Sequence, residues 1–146
     1  MKKYLFVLLL PFLLTFISCS SNRLPSGAWQ LVRSESVTNG KTTVNYPGKM
    51  VGSEYKFWSE KNFMFVGRWT RDSVSTDNYG FGEYTLEGKD YQETVLRHFR
   101  KEYQGQKIRM TLEMSRDTII QVYHPYDSTG RQMTEISSVE KYVRIR

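Results

Sequence analysis

Beyond residue 26 the chain alternates. Apolar and aromatic residues recur at every second position in short runs, and Gly, Asn, Asp and Ser break the runs at close intervals. A period of two is the mark of half-buried strands, whose side chains point to opposite faces in turn. The pattern predicts strands over about 27–37, 52–59, 63–71, 79–86, 91–99, 107–114, 118–124 and 139–145. Within 63–71, Phe63, Phe65, Gly67 and Trp69 share one face. Within 91–99, strict alternation puts Tyr91, Glu93, Val95 and Arg97 together, opposite Gln92, Thr94, Leu96 and His98. Within 107–114, Ile108, Met110, Leu112 and Met114 lie on one side.

The breaks have turn chemistry. Asn39-Gly40 suits a tight turn, because both residues tolerate positive φ. Pro47-Gly48 then breaks the chain. Residues 42–46 between them either extend the first strand or pair locally, and this irregular first connection is a candidate lid. Residues 131–137 are ambiguous. Gly80 and Gly82 mark bends of the kind found in barrels.

Links of hairpin length favour antiparallel neighbours. Eight such strands can close on themselves and so remove their exposed edges. The expected fold is therefore all-β, an eight-stranded antiparallel up-and-down barrel. A two-sheet sandwich is the competing fold that the same pattern permits. Eight strands leave an interior that is filled by side chains or holds one small ligand.

The first 26 residues read differently. Lys2 and Lys3 precede a run from Tyr4 to Ile17 in which only Thr15 is distinctly polar. That is the form of a secretory signal, and it is too short and too broken by Pro11 for a membrane-spanning helix. The one cysteine, Cys19, follows Phe16-Ile17-Ser18, so no internal disulfide is available. This stretch resembles the lipoprotein cleavage box of bacteria, with Phe16 where leucine is usual; plain secretion with a free thiol is the alternative. The expected organisation is a signal peptide over 1–18, a polar tether over 19–26 beginning at a lipidated Cys19, and one domain over 27–146. No aspartate follows Cys19, which favours the outer membrane, and no acidic run follows it either, which favours the periplasmic face.

Charge narrows the partners. Without Lys2 and Lys3 the chain keeps 19 Lys and Arg against 15 Asp and Glu, spread along its length. A nucleic-acid binder needs its basic residues clustered, so no nucleic-acid partner is expected.

Three stretches together resemble the lipocalin-like domain of bacterial lipoproteins. Gly27-Ala28-Trp29 is similar to the Gly-x-Trp opening of lipocalins and fatty-acid-binding proteins. The segment from Tyr79-Gly80-Phe81-Gly82-Glu83-Tyr84 to Tyr91-Gln92-Glu93 resembles the middle of that domain. Glu140-Lys141-Tyr142-Val143-Arg144 resembles its closing stretch. The resemblance implies a calycin-type barrel in which Arg144 packs on Trp29 to close one end. It supplies no catalytic set.

The remaining chemistry is sparse. Tyr84, Glu93, Arg97, Arg109 and Tyr123 are the candidate ligand contacts, with Arg97 or Arg109 as a carboxylate clamp and tyrosines as hydrogen-bonding partners. The competing reading has these charges facing solvent or each other, since charged groups are rarely buried alone. His98 and His124 are the only histidines, too few for a zinc site. No nucleophile–base pair, phosphate loop or cofactor motif stands out. The expected function is that of a lipid-anchored envelope protein, not an enzyme, without metal or cofactor, which binds a small, partly hydrophobic or amphipathic ligand. The alternative is an adaptor lipoprotein with a filled barrel that contacts another envelope protein.

Overall fold

The computed structural model describes Leu24 and residues 26–146. The expected signal segment, Cys19 and most of the tether lie outside the described residues. Nine strands form: β1 (Gly27–Thr38), β2 (Lys41–Tyr46), β3 (Val51–Trp58), β4 (Asn62–Arg71), β5 (Val74–Glu87), β6 (Asp90–His98), β7 (Lys107–Ser115), β8 (Thr118–Tyr123) and β9 (Ile136–Arg144). All neighbours are antiparallel, in the order β1-β3-β4-β5-β6-β7-β8-β9, and β9 returns to pair with β1. The result is a closed eight-stranded antiparallel barrel with β2 as an extra strand. The sandwich alternative fails at this seam, where Trp29 pairs with Arg144 and Thr38 with Ile136.

The extra strand answers one open point. The first connection is a hairpin folded back on the second half of β1, from Ser34↔Tyr46 to Thr38↔Lys41. Asn39 and Gly40 turn it with φ of 50° and 74°, the positive pair that a two-residue hairpin needs. Strand β5 also begins earlier than its apolar pattern suggests. Asp72 and Ser73 make a tight positive-φ turn. The polar residues after it are held by cross-strand partners: Ser75 Oγ lies 2.8 Å from Thr70 Oγ1, and Arg68 donates to Asp77 at 2.6 Å. Polar pairs of this sort extend a hairpin beyond its buried part.

Besides an irregularity in the β1–β2 hairpin, where Ser34 pairs with Tyr46 and Glu35 with Val44, two bulges in the barrel wall reset the alternation. In β6, Gly82 pairs with Val95 and Phe81 with Arg97, so Leu96 is the extra residue. In β1, Leu31 pairs with Tyr142 and Arg33 with Lys141, so Val32 is the extra residue. A bulge inserts one residue, bends the strand and reverses the faces beyond it. Beyond Leu96, therefore, Arg97 turns out to solvent and His98 turns in. The expectation that Arg97 shares a face with Glu93 is corrected by this insertion.

The core fills one half of the barrel. Trp29, Trp58, Phe63, Tyr91, Ile119 and Tyr142 are all at most 2% exposed. Their rings meet edge to face, with centroids 6.0 Å apart for Trp29–Trp58 and 5.9 Å for Trp58–Tyr142. Such pairs add about 0.5–1.5 kcal/mol beyond area burial. Leu24 covers this end from below, its backbone N–H donating to the Tyr84 hydroxyl at 3.3 Å. The Arg144 guanidinium lies 5.1 Å from the Trp29 ring centre and donates to the Ser26 carbonyl at 3.1 Å.

Candidate functional site

The other half of the barrel is hollow. A chamber of about 250 Å³ opens there. Its floor is polar and its walls are mixed. Strand β3 supplies Glu54 and Lys56, β6 supplies Glu93 and His98, β8 supplies Gln121 and Tyr123, and β9 supplies Glu140 and Tyr142. Phe65 from β4 and Ile108 and Met110 from β7 give it an apolar side. The segment after β6 crosses the rim: a single 3₁₀ turn, Lys101–Tyr103, brings Phe99, Arg100 and Tyr103 to the opening.

Why the hollow lies here follows from side-chain size. The inward positions of β5 at this level are Asn78 and Gly80, and the ring of Phe65 lies against the Gly80 backbone. At the closed end Tyr84 and Leu86 take the same inward track, buried and large. Small residues on one strand thus leave room that rings fill only in part.

The floor is a hydrogen-bonded charge cluster. Lys56, 4% exposed, donates from Nζ to Glu93 Oε1 at 2.6 Å and to Gln121 Oε1 at 3.0 Å. Tyr91 accepts from the Trp58 indole at 2.9 Å and donates to the same Glu93 oxygen at 2.8 Å. The ammonium also lies 5.3–5.9 Å from the ring centres of Trp58, Phe63, Phe65, Tyr91 and Tyr142. A buried ion pair of this kind needs such added partners, because desolvation otherwise outweighs the attraction.

A second cluster adjoins it. The Tyr142 hydroxyl sits 2.9 Å from Glu54 Oε1 and 2.8 Å from Glu140 Oε2. Glu54 Oε2 also accepts from the Trp69 indole at 3.3 Å and from the Asn78 amide. Burial, then the charge of Glu54, push the Glu140 carboxyl up to about 7. The Tyr91 and Tyr142 hydroxyls are both pushed well above their ordinary value, first by burial and then by the adjacent carboxylates. At the rim, His98 stacks with Phe99 at 4.8 Å and accepts the Arg100 backbone N–H at Nδ1 over 3.0 Å. Burial favours its neutral form.

Of the five candidate contacts, Glu93 and Tyr123 line the chamber. Tyr84 faces inward at the closed end, where its hydroxyl donates to the Ser59 carbonyl at 2.9 Å. Arg97 is exposed and donates to the Leu96 carbonyl at 2.8 Å. Arg109 is exposed on the outer face of β7 and donates to Gln92 at 3.2 Å, beside an external groove of about 550 Å³ that His124 also borders. That groove is larger than the chamber but lies outside the wall. Neither arginine can clamp a ligand inside the barrel. Glu54, Lys56, Gln121 and Glu140 are chamber residues that single-residue chemistry did not single out. The signal that points to them is alternation: Lys56 shares a strand face with Trp58, and Glu140 with Tyr142 and Arg144.

No group of His, Cys, Asp and Glu among the described residues has metal-binding geometry. No protein-family model matches the chain, and no curated protein matches it.

Proposed function

We propose that the protein is a lipid-anchored envelope lipoprotein with a lipocalin-like barrel, and that the barrel carries a small, partly apolar molecule. One observation supports this above others: the interior is plugged at one end by tightly packed rings and hollow at the other, with polar groups on the floor. Binding sites of this kind set a few polar groups in an apolar wall. The chamber, at about 250 Å³, falls just short of the roughly 300–1,000 Å³ of ordinary ligand pockets. The cargo is therefore small. Cys19 anchors the chain through its lipid, on the periplasmic side of the outer membrane.

Native mass spectrometry of the protein purified from membranes tests both parts at once. The expected spectrum shows lipid mass on an N-terminal Cys19 and a second, dissociable mass for a bound small molecule. A protein without lipid sinks the anchor. A protein that carries nothing, and that binds nothing when offered small aromatic molecules, sinks the carrier reading.

A second reading has support of its own. On the outer wall Met64 pairs with Phe81 and Val66 with Tyr79, and all four are 40–51% exposed. A contiguous apolar patch of this kind fits an adaptor that docks on another envelope protein.

A further inference from the structure

We propose that the chamber takes a small organic cation, an amine on an aromatic or short aliphatic body, whose head group sits at Glu93 and Glu140. This rests on the reading of the barrel as a small-molecule carrier and names the class of its cargo.

The charges of the floor carry the inference. Three carboxylates, Glu54, Glu93 and Glu140, line the chamber with one ammonium, Lys56. Lys56 is committed: its partners are Glu93 at 2.6 Å and Gln121 at 3.0 Å. Glu54 and Glu140 then share a single hydroxyl, 2.9 and 2.8 Å away on Tyr142. That hydroxyl has one proton to donate. The second short contact needs a proton on a carboxyl, which donates back to the hydroxyl oxygen. Glu54 already accepts from Trp69 and Asn78, so Glu140 is the member that holds the proton. Without it, two like charges, one buried on Glu54 and one half-buried on Glu140, would face each other across one tyrosine, which disfavours charging both.

The floor thus contains an acidic proton that stands in for a missing cation. An ammonium brought by a ligand supplies the same charge, and the Glu140 proton can then leave to solvent. Acceptors are ready for it. The Glu93 side chain is 6% exposed, and its Oε2 accepts no hydrogen bond from any described residue; the same holds for Glu140 Oε1. Phe65, Ile108 and Met110 offer an apolar wall to the body of the ligand. An anion finds less. Among the described residues, Arg100, exposed at the rim, is the one arginine on the lining.

The exchange makes binding depend on pH. The titratable groups that share the chamber with Glu140 are Glu54 and Lys56 from β3, Glu93 and His98 from β6, Tyr103 and Arg100 from the rim, Tyr123 from β8 and Tyr142 beside it on β9. Arg71 and Arg100, both exposed, border an adjoining cavity that Glu140 also touches. With the Glu140 carboxyl pushed up to about 7, binding that expels its proton weakens about tenfold from pH 8 to pH 6.

The test titrates three molecules of matched shape into the mature protein by calorimetry: phenethylamine, hydrocinnamate and phenethyl alcohol. Phenethylamine is expected to bind, about tenfold more weakly at pH 6 than at pH 8, and to release close to one proton at pH 6 but only about a tenth of one at pH 8. Hydrocinnamate is expected not to saturate. Glu140→Gln keeps the shape of the protonated acid and is expected to weaken the amine at least about tenfold at pH 8. Tighter binding of the carboxylate or the alcohol overturns the cation assignment and leaves a carrier of another class. Amine binding that ignores both pH and the substitution overturns the role of Glu140, and the proposal with it. Failure of all three to bind overturns the cargo class, and with no co-purified ligand it overturns the carrier reading too. The pH comparison uses the unaltered protein, so the test stands even if the variant does not fold.

Discussion

Glu140 is the residue at which stability and site chemistry meet. Its carboxyl is pushed from the ordinary 4.5 up to about 7 in the folded barrel. A raised value means that the fold binds the proton more tightly than the open chain does. The stabilisation is complete below about pH 4.5 and is lost as pH rises through about 7. Over that window the barrel is therefore expected to become less stable as pH increases, by an amount on the order of 1–3 kcal/mol. Glu140→Gln holds a neutral side chain at every pH. Urea denaturation across pH 4.5 to 8 is expected to show the slope in the parent protein and a flatter line in the variant, with the variant the more stable above pH 7. An equal slope in both would place the titration elsewhere. Exposed carboxyls such as Asp77 and Glu113 are shifted the other way by their Arg68 and Lys89 partners, so their effect falls below this window.

At the scale of the strand, the deciding features are glycines and bulges. Gly80 and Gly82 both face inward on β5 and are buried. A Cβ at Gly80 would meet only the ring of Phe65, whereas one at Gly82 would meet the Thr94 backbone carbonyl as well as the Phe63 ring. A ring can swing into the chamber, but a backbone carbonyl held in a ladder cannot. Gly82→Ala is therefore expected to cost about 1–3 kcal/mol, the usual price of overpacking, and Gly80→Ala less. Thermal melts of the two variants decide the order; equal losses would mean that the Phe65 ring has no room to move. Alternation made Phe63, Phe65 and Trp69 readable as one inward face, and Ile108, Met110 and Leu112 as another, while Met114, expected on the same side, is 45% exposed near the end of β7. It misled in β6, because Leu96 looks like any other strand residue until its partner strand is known. A bulge is a property of two paired strands, and no local pattern in one of them displays it. Lys56 was hidden for a related reason. Its strand carries aromatics on both faces, Tyr55 and Phe57 on one and Trp58 on the other, so hydrophobicity does not say which face turns inward.

At the scale of the whole molecule, the question is what shuts the cylinder. Short hairpins set most of the run of neighbours from β3 to β8, and those were readable because each pairing is local; the links over 99–106 and 124–135 are longer, yet they too join sequential strands. The β1–β9 seam joins segments about a hundred residues apart, and no turn residue specifies it. Such distant pairings are slow to form, because the chain must first lose the entropy of closing a long loop. Once formed, the seam needs a lock. Trp29 is fully buried, and Arg144, its register partner, lies over its ring at 5.1 Å. Neither Trp29 Nε1 nor Arg144 Nε has a hydrogen-bonding partner, so the contact that joins them is face to charge. With the ring buried and the guanidinium half-exposed, that attraction is worth about 0.5–2 kcal/mol. If it closes the barrel, Trp29→Ala and Arg144→Ala must be non-additive: the double variant is expected to lose less stability than the two single losses together, by about 0.5–2 kcal/mol. Denaturant midpoints of the four proteins measure that difference directly. Additive losses would show that the seam is held by its backbone ladder alone, with Trp29 acting as a plug and Arg144 as a bystander.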